Sequence, residues 1–184
     1  MKHTLSIALS LFICLTFIAC SASKPAPAPS SAPASGTDAV TSASIVNDNA
    51  AFEKAIGSSG TWIIATLNDL TFDKELVLDG TFKNGKKDDK GNDVIQRKIA
   101  LYTQDESRNV TARFTLSSPK LTVNSPEASI QHGTFKGDLY VSAENFQLVD
   151  TKVDGNIYFT TDEAKSTFKM DEKSSVTGKQ ELQK

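Results

Sequence analysis

The feature that most restricts the fold of this chain is a set of short apolar strands that recur around glycines. Phe135-Lys136-Gly137-Asp138-Leu139-Tyr140-Val141 aligns with Val153-Asp154-Gly155-Asn156-Ile157-Tyr158-Phe159 and, more briefly, with Val176-Thr177-Gly178. A second series, Leu121-Thr122-Val123, Phe146-Gln147-Leu148 and Phe168-Lys169-Met170, recurs at intervals of 25 and 22 residues. Upstream, Gly80-Thr81-Phe82-Lys83 returns as Gly133-Thr134-Phe135-Lys136. Such spacing belongs to a coil and not to a hairpin. One coil cannot bury its apolar residues alone, so neighbouring coils must stack to complete a shared interior. The expected fold class is all-β: a short single-stranded parallel β-helix (β-solenoid), with an antiparallel β-sandwich or barrel as the alternative. In the solenoid, Leu121, Val123, Phe146, Leu148, Phe168 and Met170 point inward, and Leu139, Val141, Ile157 and Phe159 do so on another wall.

One helix precedes the strands. In Asn47-Asp48-Asn49-Ala50-Ala51-Phe52-Glu53-Lys54-Ala55-Ile56-Gly57, an Asn or Asp caps the start, Ala51, Phe52, Ala55 and Ile56 share one side, and Gly57 stops the element. After Gly60 the pattern becomes strand-like, as in Thr61-Trp62-Ile63-Ile64-Ala65-Thr66, Glu75-Leu76-Val77-Leu78 and Val110-Thr111-Ala112-Arg113-Phe114-Thr115-Leu116.

A helix feeding a first strand, followed by coils such as Phe146-Gln147-Leu148-Val149-Asp150-Thr151-Lys152-Val153-Asp154-Gly155-Asn156-Ile157, resembles the right-handed parallel β-helix superfamily typified by pectate lyases. The resemblance extends loosely over residues 47 to 182. It implies an N-terminal capping helix over the open end of the first coil. The short, glycine-centred coils also resemble bactofilins, a bacterial family of self-assembling β-helices.

The first 44 residues follow different rules. Lys2 and His3 precede an apolar run from Leu5 to Ile18, and Ala19 stands directly before Cys20. That run is shorter than the ~20 residues a membrane-spanning helix needs, so residues 1–19 read as a secretory leader. Phe17-Ile18-Ala19-Cys20 resembles the lipobox of bacterial lipoproteins, with Phe17 where that family usually has Leu. The resemblance implies cleavage before Cys20 and lipidation of its thiol; the alternative is an ordinary signal peptide that contains a cysteine. Each buried methylene contributes about 0.8 kcal/mol, so one acyl chain anchors marginally and two or more anchor stably.

Pro25, Pro27, Pro29 and Pro33 follow, four of the six prolines in the chain, mixed with Ala and Ser. Nothing in residues 20–44 can form a core, and alternating Pro-Ala favours an extended linker of about 3.1 Å per residue, on the order of 70 Å in all. The expected organisation is a signal peptide at 1–19, lipidated Cys20 with its linker at 20–44, and one β-solenoid domain at 45–184. Ser21 is not the Asp of an inner-membrane retention signal. The expected location is therefore extracytoplasmic and lipid-anchored: the outer membrane in a double-membraned cell, the outer face of the plasma membrane otherwise.

The chain has two cysteines, and both fall in these first residues. Cys14 leaves with the leader and Cys20 becomes the modified terminus, so the domain holds no disulfide and no thiolate nucleophile. Losing Lys2 leaves 19 of the 20 basic residues against 22 acidic ones, a formal charge of −3. Neither a basic face for nucleic acid nor a strongly acidic one results.

No catalytic set is expected, no metal site and no cofactor. The acidic cluster Asp88-Asp89-Lys90-Gly91-Asn92-Asp93 lacks the spacing of an EF-hand loop and reads as a solvated surface loop. His132 is the one histidine left after cleavage; without a recognisable Ser or carboxylate partner it reads as a turn or surface residue. Asn109-Val110-Thr111 matches a glycosylation sequon, which has no expected role in a bacterial lipoprotein.

One surface constellation stands out. Tyr102 (Leu101-Tyr102-Thr103), Tyr140 (Leu139-Tyr140-Val141) and Tyr158 (Ile157-Tyr158-Phe159) occupy similar strand settings; with the flanking apolar residues inward, alternation turns each ring outward, and Tyr140 can stack on Tyr158 from the next coil. Exposed tyrosines bind sugar rings or anchor a protein partner, or else simply pack coil against coil. The expected function is a membrane-anchored envelope lipoprotein displaying a non-catalytic β-helix as a binding or structural module, with a glycan or an envelope protein as partner. A small β-helix polysaccharide lyase or hydrolase and a self-assembling bactofilin-like scaffold are the alternatives.

Overall fold

The computed structural model describes residues 43–183. Residues 1–42, with the leader, the lipobox, Cys20 and nearly all of the expected linker, lie outside the described residues.

The chain enters on β1 (Ala43–Val46), two residues inside the expected linker, and then forms α1 (Asn49–Ile56). Asp48 caps α1 by accepting a 2.8 Å hydrogen bond from the Ala51 N–H. Gly57 ends it in an extended conformation (φ −70°), not the left-handed one that glycine often supplies. Four elements follow: β2 (Ile63–Thr66), β3 (Leu70–Thr71), β4 (Leu76–Leu78) and the ribbon strand β5 (Lys83–Lys87). Next come β6 (Asp93–Ile95), β7 (Arg97–Ala100), β8 (Tyr102–Gln104) and β9 (Val110–Arg113). The long β10 (Thr115–Val123) leads through β11 (Ala128–Gln131) to the long β12 (Thr134–Val141). After β13 (Gln147–Val149), β14 (Lys152–Asp154) and β15 (Ile157–Phe159) comes α2 (Asp162–Thr167). The described chain closes on β16 (Lys169–Met170), β17 (Ser175–Val176) and β18 (Gln180–Leu182).

The protein is mostly β, built on two parallel sheets. One sheet runs β1-β2-β7-β11-β13-β16; the other runs β17-β14-β12-β10-β3, with β4 on β10 and β15 between β12 and β18. Every pair within these two sheets is parallel. Among the described residues antiparallel pairing is confined to the ribbons β5–β6 and β8–β9, so the alternative of an antiparallel sandwich or barrel is not the architecture. From β10 onward the chain visits the two sheets in turn, as parallel pairing requires when hairpins are unavailable.

Register places like residues over like. In the first sheet Ser44, Ile64, Ile99, Ile130, Leu148 and Met170 form one inward column. In the second, Leu116-Phe135-Val153-Val176 and Leu121-Leu139-Ile157 do the same. The aliphatic and phenyl groups between the first and last layers are fully buried, each contributing about 1.5–3 kcal/mol. Met170 corrects the expectation that it is buried. It lies on the inward column but on the edge strand β16, beyond which no described strand pairs, and it is 42 % exposed. Phe168 instead covers that end, stacked on Phe146 at 5.9 Å and tilted against Phe159 at 5.3 Å.

The repeat Phe135/Val153/Val176 is realised residue for residue, and its glycines have a common cause. A Cβ at Gly137 would overlap the Ser118 carbonyl oxygen, and one at Gly155 would overlap that of Gly137, so successive layers approach backbone to backbone. Two other alignments fail. Leu121-Thr122-Val123 pairs with Leu76–Leu78 and Leu139–Val141 in the second sheet, whereas Gln147-Leu148 and Lys169-Met170 belong to the first. Gly80–Lys83 leads into the β5–β6 ribbon and is not a layer-mate of Gly133–Lys136. The expected strand Val110–Leu116 is likewise two elements, broken at Phe114, whose N–H donates to the Leu101 carbonyl at 2.8 Å.

Phe52, Ala55 and Ile56 of α1 are buried, Phe52 against Phe72 at 5.6 Å between centroids. Arg97, fully buried on β7, pins the end of this helix: its Nη2 donates to the carbonyls of Ala55 (2.7 Å) and Gly57 (3.1 Å). Its guanidinium stacks over Phe82 at 3.7 Å. A cation satisfying the last carbonyls of a helix also complements its dipole.

Candidate functional site

The three tyrosines do not share one surface. Tyr140 on β12 and Tyr158 on β15 are register partners on the outer side of the second sheet, their rings 5.0 Å apart and tilted by 44°. Tyr102 lies elsewhere, on the β8–β9 ribbon opposite Arg113, and its ring meets His132 edge-on at 4.5 Å. Burial raises the Tyr102 phenol above its ordinary value.

Around the Tyr140–Tyr158 pair the outward positions form two columns. Val77, Thr122, Tyr140, Tyr158 and Glu181 stack in register, and Val77 is 45 % exposed. Beside them, Lys120 pairs with Asp138 in register and with the Glu75 carboxylate at 3.2 Å, and Asn156 donates to Asp138 at 2.9 Å. The Lys120 ammonium sits 4.5 Å over the Tyr140 ring. Lys120 and Tyr158 come from the strands on either side of β12, so they approach Tyr140 from opposite directions. The wall therefore presents the two rings as a tilted pair, with carboxylates and a lysine alongside. The Tyr158 phenol is raised above its ordinary value, by burial first and then by the negative charge of Asp138.

The second constellation was not legible as such in the sequence. His132 does have a carboxylate partner: its Nδ1 lies 3.0 Å from Asp150 Oδ2, which also takes an ion pair from Arg113 Nη2. The Asp150 N–H donates in turn to both oxygens of Asp171 (3.0 and 3.1 Å), and the Ser174 hydroxyl donates to Asp171 at 2.6 Å. His132 (φ +59°) and Asp150 (φ +48°) both hold the left-handed conformation at equivalent turns, a region that His and Asp enter more readily than most residues. A matching pair of left-handed residues, Glu127 and Asn145, forms the other corner of the first sheet and is joined by a 2.7 Å hydrogen bond. Arg113 first, and His132 second, hold the Asp150 carboxyl below its ordinary 3.8. A shallow depression beside the cluster is lined by His132, Val149, Asp150, Asp171, Glu172 and Lys173. The imidazole is oriented as a general base would be, yet no hydroxyl or thiol nucleophile is hydrogen-bonded to it among the described residues.

The acidic turn at Asp88 spends its carboxylate internally, accepting from the N–H groups of Lys90 and Asn92 and from the Asn92 side chain. Asp105 and Asn109 repeat this arrangement in the other ribbon, which gives the sequon asparagine a turn-forming role. Among the described residues no group of three or more His, Cys, Asp or Glu side chains is placed to hold a metal ion, and no helix is long and apolar enough to cross a membrane. No protein-family model matches this chain, and no curated protein or solved structure shows significant similarity to it.

Proposed function

We propose that this chain is an envelope lipoprotein: a parallel β-solenoid, capped at its first end by α1, carried outside the cytoplasm on a Pro/Ala/Ser linker from lipidated Cys20. It serves there as a non-catalytic binding or structural module. The alternation of the chain between two parallel sheets, with like residues in columns, supports the solenoid. The leader and the lipobox-like Phe17-Ile18-Ala19-Cys20 support the anchor. The outer membrane is its site in a double-membraned cell, and the outer face of the plasma membrane in a single-membraned one. Its last strands are two or three residues long and carry Lys169 and Glu181, which blunts them as templates for a second chain.

The observation that carries a binding role is the Tyr140–Tyr158 pair, in register on an outward wall with Lys120 and Asp138 beside it. Tyrosine offers a large rigid contact with a polar tip, suited to a glycan or an envelope protein. The double replacement Tyr140→Ala with Tyr158→Ala tests it. Binding in glycan-array and envelope pull-down assays should fall while the melting temperature stays nearly unchanged; a melting temperature that falls along with any binding assigns the pair to packing between layers instead.

A further inference from the structure

Asn84 is the one asparagine in the chain followed by glycine. It lies in the β5–β6 ribbon, half-buried, with Gly85 and Lys86 exposed. Its Oδ1 accepts a 2.9 Å hydrogen bond from the Lys86 N–H, and its Nδ2 donates to Gln96 Oε1 at 2.9 Å. Gly85 takes φ +82°, and apart from its chain neighbours no described residue places an atom within 4 Å of where a Cβ would project from it. The Asn84 carboxamide oxygen thus reaches across exposed Gly85 to the Lys86 N–H, and the Cβ side of Gly85 is open.

We propose that Asn84 is a self-modifying site, at which the ribbon converts asparagine to aspartate and isoaspartate through a cyclic imide. The Gly85 nitrogen gives up its proton to solvent base and forms a bond to Asn84 Cγ, and negative charge develops on Oδ1. The Lys86 N–H already donates to that oxygen, which places a backbone donor where the charge forms. The Cγ–Nδ2 bond then breaks and Nδ2, having taken up a proton, leaves as ammonia. Water opens the imide at either carbonyl, and no oxidant or metal is required. Opening at one carbonyl gives aspartate. Opening at the other gives isoaspartate, which lengthens the main chain by one methylene in a strand already irregular between Lys83 and Lys87. Either product adds a negative charge beside Lys83, Lys86 and Lys87, whose ammonium groups at 83 and 87 otherwise converge on Asp93 (2.7 and 2.6 Å). The ribbon is thereby altered after synthesis without any partner enzyme.

The test uses the full chain, incubated folded at mildly alkaline pH and followed by peptide mass spectrometry with isoaspartate detection at each asparagine. Asn92 and Asn109, held in the two ribbon turns by Asp88 and Asp105, serve as internal references. Conversion at Asn84 should outpace both by about tenfold or more, and Lys86→Pro, which removes the N–H donor, should slow it by about fivefold. Asn84→Gln, which leaves the ribbon's hydrogen-bonding groups in place, should abolish the isoaspartate signal at that position. Conversion at Asn84 within about twofold of Asn109, or an undiminished rate in a Lys86→Pro chain that melts like the wild type, overturns the proposal.

Discussion

His132 and Asp150 stand in successive layers of the same corner, both left-handed, with Nδ1 of one 3.0 Å from Oδ2 of the other. Arg113 reaches the same oxygen from the β8–β9 ribbon, so Asp150 ties the ribbon to the corner. Asp150→Ala should destabilise the protein by about 1 kcal/mol, since these groups are partly exposed, and the difference should shrink in high salt. Denaturant unfolding of both proteins at low and high ionic strength measures it.

The same cluster fixes a pH dependence. Arg113, then His132, lower the Asp150 carboxyl, and Ser174, then the Asp150 N–H, lower that of Asp171. A carboxyl with a depressed folded-state value adds stability that is fully present above its unfolded value and is lost as pH falls through the folded one. Wild-type stability should therefore decline below about pH 4, and Asp150→Asn should flatten part of that decline. Thermal melts between neutral and strongly acid pH show whether the two curves converge.

Glycines of the same chain should differ sharply in what they tolerate. Gly137→Ala drives a Cβ into the Ser118 carbonyl at φ +134° and should cost about 2–4 kcal/mol. Gly91→Ala, at φ +83° in the open turn of a ribbon, should cost about 1 kcal/mol. Equal losses in paired unfolding experiments would remove the close backbone stacking from the account.

The last layer gives a parallel contrast. Phe146→Ala removes a fully buried ring packed on Phe168 and should cost about 3–5 kcal/mol, whereas Met170→Ala, at a half-open end, should cost about 1 kcal/mol or less.

These contrasts mark what could be read from the residues alone. Phe135, Val153 and Val176 announced their own register because glycine recurs two residues after each, and glycine there answers a close approach that no other residue permits. Leu121 and Phe146 looked equivalent because an apolar-polar-apolar triplet carries no mark of which sheet it joins. The two ribbons, inserted between β4 and β7 and between β7 and β10, stretch the earlier layers so that no constant interval survives. Met170 read as core because an inward column does not reveal where it ends. The His132–Asp150 contact did leave a signal: Tyr140 and Tyr158 are eighteen residues apart, and the same step from His132 arrives at Asp150. Arg113 left none, since its approach depends on the fold of an inserted ribbon.

The proposed anchor is Cys20, lipidated and holding the mostly-β domain on a membrane from outside the cytoplasm. Fractionation of cells making wild-type or Cys20→Ser protein, with metabolic acyl labelling and mass analysis of the mature N-terminus, tests it most directly. The wild type should be labelled, start at a modified Cys20 and sediment with membranes, while Cys20→Ser should be unlabelled and either released or left unprocessed. A Cys20→Ser protein that is processed normally and stays on the membrane would contradict the anchor.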